Sequence, residues 1–422
     1  MNIVKTNHFS KMHNLYDNSA PTSKTYFKHR IDDNIPNFAF KRVDTTPDEI
    51  RTKYDNKKCN FSLKKEGFLG KMYVRHLLRF ETNEQAVATI NEVGERIGEW
   101  IIKKARIMQQ EKEIEEINPL TIRHRIDTSS NNEELNNVEA VAPVDVEDDE
   151  GINAILFYTP LFFSSGSDIN SMLDLKFIQT LKLELDIEEY ETNGLSLVKS
   201  HEIDLLSHYM TLDDYETYAK THYKKPLYLP IENSSLEGGD YKYIPAGDNI
   251  IRLRNRDLVK MYLVRVEDLS DYKRDGSKDV VALSIKSNNQ VIYKADNTLE
   301  SLLFNHNYRG LVSHRVSENK TDGATYSIPF DISNYRNGFS GGLNMDEIYK
   351  DCKLSFFVPG ADPEHRLIIS YLYYDMLKIN TDGTIEKAEV NNTPFLDEYD
   401  YSTEPTKPEL PKKEAPPKNI SL

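Results

Sequence analysis

Residues 326–383 read YSIPFDISNYRNGFSGGLNMDEIYKDCKLSFFVPGADPEHRLIISYLYYDMLKINTDG. Three apolar runs lie in this stretch, at 326–332, 353–358 and 366–379, and turn residues such as Pro359-Gly360 separate them. In the last run both alternating sets of side chains are apolar or aromatic, which is typical of a strand buried on both faces. Short apolar strands with turns between them predict an antiparallel sandwich.

Length and composition set the broad class. A chain of 422 residues is long for one core and suits two domains. No run of 18 apolar residues occurs, so we expect no membrane-spanning helix. The first residues lack the apolar centre of a signal peptide, and Cys59 and Cys352 are too far apart for a disulfide framework or a metal knuckle. We therefore expect synthesis in the interior of the cell.

The net charge of −15 argues against a general nucleic-acid binder. The charge is unevenly distributed. Residues 1–30 carry Lys5, Lys11, Lys24, Lys28 and Arg30 against the single acid Asp17, whereas residues 133–150 hold eight acids and no base. The basic arm is either a disordered terminus or a segment that becomes ordered against a partner. The acidic run predicts a solvated loop on the outer surface or flank that is dispensable for folding; a calcium site is the alternative, without the spacing of an EF-hand loop.

The first half of the chain predicts several strands. Residues 61–80 indicate a strand, a turn at Glu66-Gly67 and a second strand. Residues 181–188 alternate apolar and charged side chains, as a half-exposed strand does. Residues 94–117 fit a helix and a strand about equally, so the pairing there stays open.

A helix is predicted in the middle of the chain. A strand ends near Met210, Asp213 is placed to cap a helix over residues 214–223, and Lys224-Lys225-Pro226 ends that helix. A second set of strands begins at Asp248, with a polar hairpin turn at residues 287–290.

Several of these segments together resemble a known family. The Ser340-Gly-Gly-Leu-Asn-Met345 segment with the long aromatic strand after it, the Tyr209/Leu212/Asp213 strand end with its helix, and "DLVKMYLV" from Asp257 are similar to segments of double jelly-roll major capsid proteins. That family spans large DNA viruses, virophages, Polinton-like elements and tailless phages. The matches run in the family's order from residue 61 to residue 385. The resemblance favours strands at 94–117.

The resemblance implies an all-β fold of two antiparallel eight-stranded jelly-roll sandwiches in tandem with a short connecting helix. We divide the chain into an N-terminal arm (1–56), a first jelly roll (57–212), a helix-bearing linker (213–247), a second jelly roll (248–389) and a Pro-rich flexible tail (390–422). Five prolines in the tail prevent it from joining a sheet: Pro405, Pro408, Pro411, Pro416 and Pro417.

The resemblance also implies a function. A major capsid protein of a DNA virus forms homotrimeric, pseudo-hexagonal capsomers that tile an icosahedral shell, so the chain is expected in the virion. Its expected partners are its own copies, neighbouring capsomers, and penton and minor capsid proteins. The N-terminal arm would contact an inner membrane or the genome, without sequence-specific nucleic-acid recognition.

No phosphate-binding loop, zinc-protease, serine-hydrolase or CxxC motif occurs, and we assign no catalytic, cofactor-binding or metal-binding residue. We expect His222, beside Tyr218 on the predicted helix, to be structural. The glycines at 338–342 lie between predicted strands rather than before a helix, which does not favour phosphate binding. The alternative function is a jelly-roll carbohydrate-binding protein, with exposed tyrosines such as Tyr241 and Tyr243, or a glycosidase with a carboxylate pair.

Overall fold

The computed structural model describes residues 38–53, 56–82, 84–87, 98, 101–127, 142–144, 153–166, 172–188, 198–239, 242–243, 246–268, 280–288, 290–295, 326–330, 342–348, 350–358 and 365–388. Within these ranges the chain is mostly antiparallel strand. None of the helices there is long and apolar enough to cross a membrane.

The elements of the first sandwich whose bounds the structure describes are eleven strands and one helix. In chain order they are β1 (Phe38–Thr45), β2 (Glu49–Lys53), β3 (Asn56–Ser62), β4 (Phe68–Phe80), β5 (Ile102–Gln109), β6 (Lys112–Ile117), α1 (Pro119–Asp127), β7 (Ala142–Val144), β8 (Ala154–Leu161), β9 (Leu173–Asp174), β10 (Leu181–Glu188) and β11 (Val198–Leu212).

The connecting helix and the second sandwich follow. They comprise α2 (Tyr215–His222), β12 (Leu227–Leu236), β13 (Lys242–Tyr243), β14 (Gly247–Arg252), β15 (Leu258–Asp268), β16 (Val281–Ser287), β17 (Gln290–Ala295), β18 (Tyr326–Pro329), β19 (Leu343–Asn344), α3 (Met345–Ile348), β20 (Lys353–Val358), β21 (His365–Ile379) and β22 (Ile385–Ala388).

The two sandwiches share one strand order. In the first, β1-β11-β4-β8 faces β3-β10-β5-β6, with β2, β7 and β9 added at the margins. In the second, β12-β21-β15-β18 faces β14-β20-β16-β17, with β13, β19 and β22 added. Numbered within each unit, the paired sheets read 1-8-3-6 and 2-7-4-5. This is the four-on-four arrangement of a jelly roll, which confirms the predicted fold class.

Alternating side chains place the cores. Leu181, Leu183, Leu185 and Ile187 of β10 are buried in the first core, as their spacing predicts. In β21 the predicted burial on both faces is also confirmed. Its residues Ile369 and Tyr371 join the second core and Tyr373 packs against that core, whereas Ile368 and Leu372 belong to a separate apolar cluster on the opposite face.

The arm predicted at residues 1–56 is too long. Strand β1 pairs with β11 in the register Phe38↔Leu212, and β2 pairs with β3 in the register Ile50↔Cys59. Both are edge strands, and most of the described side chains of β1, together with Glu49 and Ile50 of β2, are exposed, so the apolar pattern is weak. The pairing partner of β1 is also distant in sequence. The basic residues 1–30 and the tail 390–422 lie outside the described residues.

Two further boundaries differ from the sequence predictions. The linker at 213–247 contains β12, which pairs with β21 throughout its length and therefore belongs to the second sandwich. Helix α2 is capped by Asp214, whose side chain accepts from Thr217 N, and not by Asp213. Within 94–117, residues 102–109 and 112–117 form the strands β5 and β6, as the resemblance favours, and their turn places Gln110 at a positive φ of 48°.

Candidate functional site: the junction of the two sandwiches

The two sandwiches meet on the outer face of the β12-β21-β15-β18 sheet. We call this contact the junction; it joins residues 109–127 of the first sandwich to strands β12, β15, β21 and β22 of the second. Its apolar part is a cluster of Leu120 from α1 with five buried residues of the second sandwich: Leu236, Met261, Leu263, Ile368 and Leu372. Removing these side chains from water favours the closed junction.

A polar seam runs beside the apolar cluster. Asn118 donates from Nδ2 to Ser370 Oγ at 2.8 Å, and its Oδ1 accepts from Thr121 N at 3.2 Å, which caps α1. Glu116 donates its backbone N–H to Asn233 Oδ1 at 2.8 Å, and its carbonyl accepts from Ser234 Oγ at 2.8 Å. Directional bonds of this kind determine the register in which the two sandwiches pack.

Buried charges also cross the junction. Glu232 of β12 lies between Arg125 of α1 and Lys260 of β15 and pairs with both through its two carboxylate oxygens. The side chains are only 4% exposed for Glu232, 5% for Lys260 and 10% for Arg125. Charges that are this dry are tolerated when opposite charges pair at close range, and removal of Glu232 would leave both cations without that counter-charge.

A second buried carboxyl, Glu115 of β6, faces the same region. It accepts hydrogen bonds from the backbone N–H groups of Ser164 and Ser165, the latter at 3.2 Å. Burial raises the pKa of Glu115 to about 7, although these donors and the charge of Arg125 act in the opposite direction. Ser164 also bonds across the junction, because its Oγ accepts from Glu232 N at 3.0 Å.

The hairpin formed by β21 and β22 reaches into the first sandwich. Leu377, Ile379 and Ile385 are buried in the first core rather than the second. At the turn, the Gly383 carbonyl accepts from Gln109 Nε2 at 3.2 Å, and Gln109 Oε1 accepts from Ile385 N at 2.7 Å. One strand thus contributes to both cores, which couples their stability.

The connecting helix α2 is held to the first sandwich by Asp174 of β9. The hydroxyls of Tyr215 and Tyr223 both donate to its carboxylate, Tyr215 at 2.8 Å. Burial raises the pKa of Asp174, and the tyrosine hydrogen bonds partly offset that effect. The aromatic residues predicted on this helix therefore anchor it.

The residues singled out in the sequence have these positions. His222 donates from Nδ1 to the Tyr218 carbonyl at 2.9 Å and stacks on the Tyr218 ring. Gly342 precedes β19 and the single turn α3, so a helix does follow that glycine, although one of only four residues. Tyr243 pairs with Arg366 in β13. Tyr241, the other glycines at 338–341 and most of the acidic run 133–150 fall outside the described residues.

Cys59 and Cys352 are both buried and form no disulfide. Across the ranges that the structure describes, no group of three or more His, Cys, Asp or Glu side chains is placed to hold a metal ion. Most of the described polar groups at the junction bond to one another, although the Asn233 Nδ2 atom is buried without a hydrogen-bond partner among them, and these contacts hold the two sandwiches together.

The charged residues of the junction are not predicted from the sequence. A signal was present in β12, where Glu232, Asn233 and Ser234 interrupt an otherwise apolar strand. Polar residues at consecutive positions in a buried strand indicate buried polar partners on both faces. Their partners come from α1, β6 and β15 and are distant in sequence.

Together, the repeated strand order and the locked junction define an all-β double jelly roll. No family model matches the sequence, and none of the curated proteins matches it either. Solved structures do match. The PBCV-1 virus capsid chain aligns with a TM-score of 0.65 at 14% identity, covering 86% of this chain and 99% of that chain.

Two further structures agree. The Faustovirus major capsid protein aligns with a TM-score of 0.58 at 9% identity, over 82% of this chain and 92% of that one. The mavirus major capsid protein aligns with a TM-score of 0.54 at 11% identity, over 84% and 91%. The chain therefore has the fold of double jelly-roll major capsid proteins, as the resemblance in the sequence predicts.

Proposed function

We propose that this chain is the major capsid protein of a DNA virus and forms homotrimeric, pseudo-hexagonal capsomers that tile an icosahedral shell. The observation that carries the proposal is the match of both sandwiches, in their tandem arrangement, to nearly the full length of the PBCV-1 capsid chain. A likeness limited to one sandwich would leave many jelly-roll functions open.

The junction supports this function physically. Three copies around a threefold axis present six similar sandwiches only if both sandwiches of each copy keep one orientation. The buried charges, the polar seam and the shared strand β21 hold that orientation. A closed ring of copies uses heterologous contacts, and permanent contacts of this kind typically bury more than about 2,000 Å².

The proposed role is structural rather than enzymatic. Beyond its own copies, the expected partners are neighbouring capsomers, penton and minor capsid proteins. The arm that points into the particle comprises residues 1–37 in this proposal, because Phe38 is the first residue of β1. Deleting residues 1–37 is expected to spare the trimer and to prevent closed shells in electron micrographs, since the basic arm would no longer contact the acidic layer, membrane or genome beneath.

Sedimentation of the purified full chain tests the central proposal. The expected species has three times the 48.8 kDa mass of one chain and appears as a hexagonal outline by negative-stain microscopy. A monomer throughout the micromolar range, or an oligomer without a threefold axis, would contradict the proposal.

A further inference from the structure

On the outer faces of two of the four sheets, opposite charges pair across neighbouring strands, and a third face is covered within the chain. On the β1-β11-β4-β8 sheet, Arg75 pairs with Asp204 at 2.6 Å and Arg79 pairs with Glu202 at 2.9 Å. On the β3-β10-β5-β6 sheet, the cations Lys58 and Arg106 pair with Glu184 and Asp186. The junction covers the outer face of the β12-β21-β15-β18 sheet.

The fourth sheet, β14-β20-β16-β17, is different. Leu354, Phe356 and Val358 of β20 point into the second core, so the alternate residues of that strand face outwards. Among the latter, Lys353 lies directly opposite Arg252 of β14 on one side and Lys286 of β16 on the other. Three cations therefore form one row across three strands.

In the described part of the chain no acid lies directly opposite a member of this row, so the row is unfavourable there. Directly opposed side chains have Cβ atoms about 4.5–5.5 Å apart, and like charges at that separation destabilise a sheet. Asp248 is an acid on the outward face of β14, but in the strand register it lies opposite Phe357 and not opposite any of the three cations. Arg252 donates to the Lys350 carbonyl, which orients its guanidinium without neutralising it. An external anion would relieve the repulsion.

Apolar side chains flank the cations. Ile250 is 70% exposed and Phe357 is 37% exposed, and both lie on the same outer face as the row. Val291 of β17, which lies opposite Lys286, is 54% exposed. Ile250, Val291, Phe357 and the three cations together are called the basic face. Exposed apolar groups beside cations suit a protein segment that carries both acids and apolar residues.

We propose that the basic face binds the acidic segment 133–150 of a neighbouring copy of this chain. The inference rests on the proposed self-assembly and names one of its contacts. The segment carries eight acids and no base, and Val138, Val141 and Val146 are interspersed among the acids. Its described part, β7, is the outermost strand of its sheet, where another copy has access to it. Both charge and apolar content therefore match.

A nucleic acid is the less suitable occupant. The chain as a whole has a charge of −15, which repels a polyanion at long range, whereas one short acidic segment brought by an assembled neighbour contacts the basic face alone. The exposed Ile250 and Phe357 would also gain nothing from a phosphate backbone.

Zero-length cross-linking of assembled full-length protein tests the contact directly. A carbodiimide joins a lysine amine to a carboxylate only where the two touch. With subunits of mixed nitrogen isotopes, the expected products link Lys286 or Lys353 of one isotope to an acid in 133–150 of the other. Same-isotope links alone, or the absence of links to this segment while other intersubunit links form, would overturn the proposal.

Charge exchange provides the second test. Lys286→Glu with Lys353→Glu should raise, about tenfold, the subunit concentration at which half the chains associate, because like charges then meet. Adding Asp145→Lys, Glu147→Lys and Asp148→Lys to the same chain should restore association. The charge-matched control is the double variant Lys65→Glu with Lys71→Glu, which changes two exposed lysines of the first sandwich.

The outcomes separate this inference from the proposed function. If the wild-type chain never associates, the proposed function fails. If it associates, and the lysine variant associates equally well, only the docking contact fails. A fluorescent 30-base-pair DNA duplex provides the last comparison. If the duplex binds in a way that depends on the two lysines, and no cross-links to 133–150 form, the occupant of the basic face is a polyanion and the proposal is overturned.

Discussion

Asn118 and Ser370 are 252 residues apart in the chain, yet the Asn118 amide donates to the Ser370 hydroxyl at 2.8 Å with both residues fully buried. The bond joins the end of β6 in the first sandwich to the middle of β21 in the second. Ser370 also donates to the Ser235 carbonyl at 3.3 Å, so its hydroxyl is held from both sides. This contact ties the junction to the register of β12 against β21.

Ser370→Ala should destabilise the chain by about 1–3 kcal/mol, because the Asn118 amide loses a buried acceptor. The measurement is the free energy of unfolding from urea denaturation. Ser200→Ala, at an exposed position of β11, is the matched control and should change stability by less than about 0.5 kcal/mol. Equal effects of the two substitutions would mean that the seam contributes nothing.

Glu232→Ala should be far more damaging. It leaves Arg125 and Lys260 buried without their common partner, at a cost of about 3–5 kcal/mol. Glu216→Ala is the control, since Glu216 is 87% exposed and pairs with Lys220 at 3.7 Å on α2. Thermal unfolding of the two variants would distinguish them, and a Glu232 variant as stable as the control would contradict the buried-charge description of the junction.

Glu115 should make stability depend on pH. Its pKa is about 7 in the folded chain against an ordinary value of 4.5, so the folded state holds a proton that the unfolded state releases between these values. Its stabilising contribution is fully present below pH 4.5 and is lost as the pH rises through 7.

Glu115→Gln should therefore flatten the change in urea midpoint between pH 5 and pH 8. The slope of the urea midpoint against pH is compared between the two proteins, and not the midpoint itself. The Gln amide does not reproduce both hydrogen bonds from Ser164 and Ser165, so the variant is also expected to differ in absolute stability. A variant with the wild-type slope would assign the pH dependence to another group.

Gly383→Ala should weaken the docking of the β21–β22 hairpin on the first sandwich. Gly383 has a φ of +80°, and a Cβ there would approach the Phe177 carbonyl oxygen to 2.4 Å. Gly247→Ala is the matched control, because Gly247 also has a positive φ, +97°, but no atom lies within 4 Å of its Cβ position.

Both glycine variants carry the backbone strain of about 1 kcal/mol expected for alanine at a positive φ, and only the Gly383 variant adds a clash with backbone. Hydrogen exchange at Ile385 N, which bonds Gln109, would report the loss of docking. Equal protection in both variants would show that the turn adapts.

Local patterns were sufficient for much of the fold. The apolar run at 353–358 corresponds to β20, and the alternation at 181–188 corresponds to β10, because a period of two residues depends only on near neighbours. The helix after β11 was predicted with its cap one residue early. The order of these segments also indicated the double jelly roll.

Other features depend on contacts between distant segments. The sequence does not predict strand β1, because its described side chains are mostly exposed. Its pairing partners in β11 also lie 160 residues or more further along the chain. The burial of Glu232 follows from α1 and β15, and the cation row combines positions 252, 286 and 353. The alternation of side chains along a strand predicts which face of that strand each residue occupies. Whether the residue is buried and whether its charge is paired depend on what packs against that face. Chain folding brings those partners together across long sequence separations, so no window of neighbouring residues contains them.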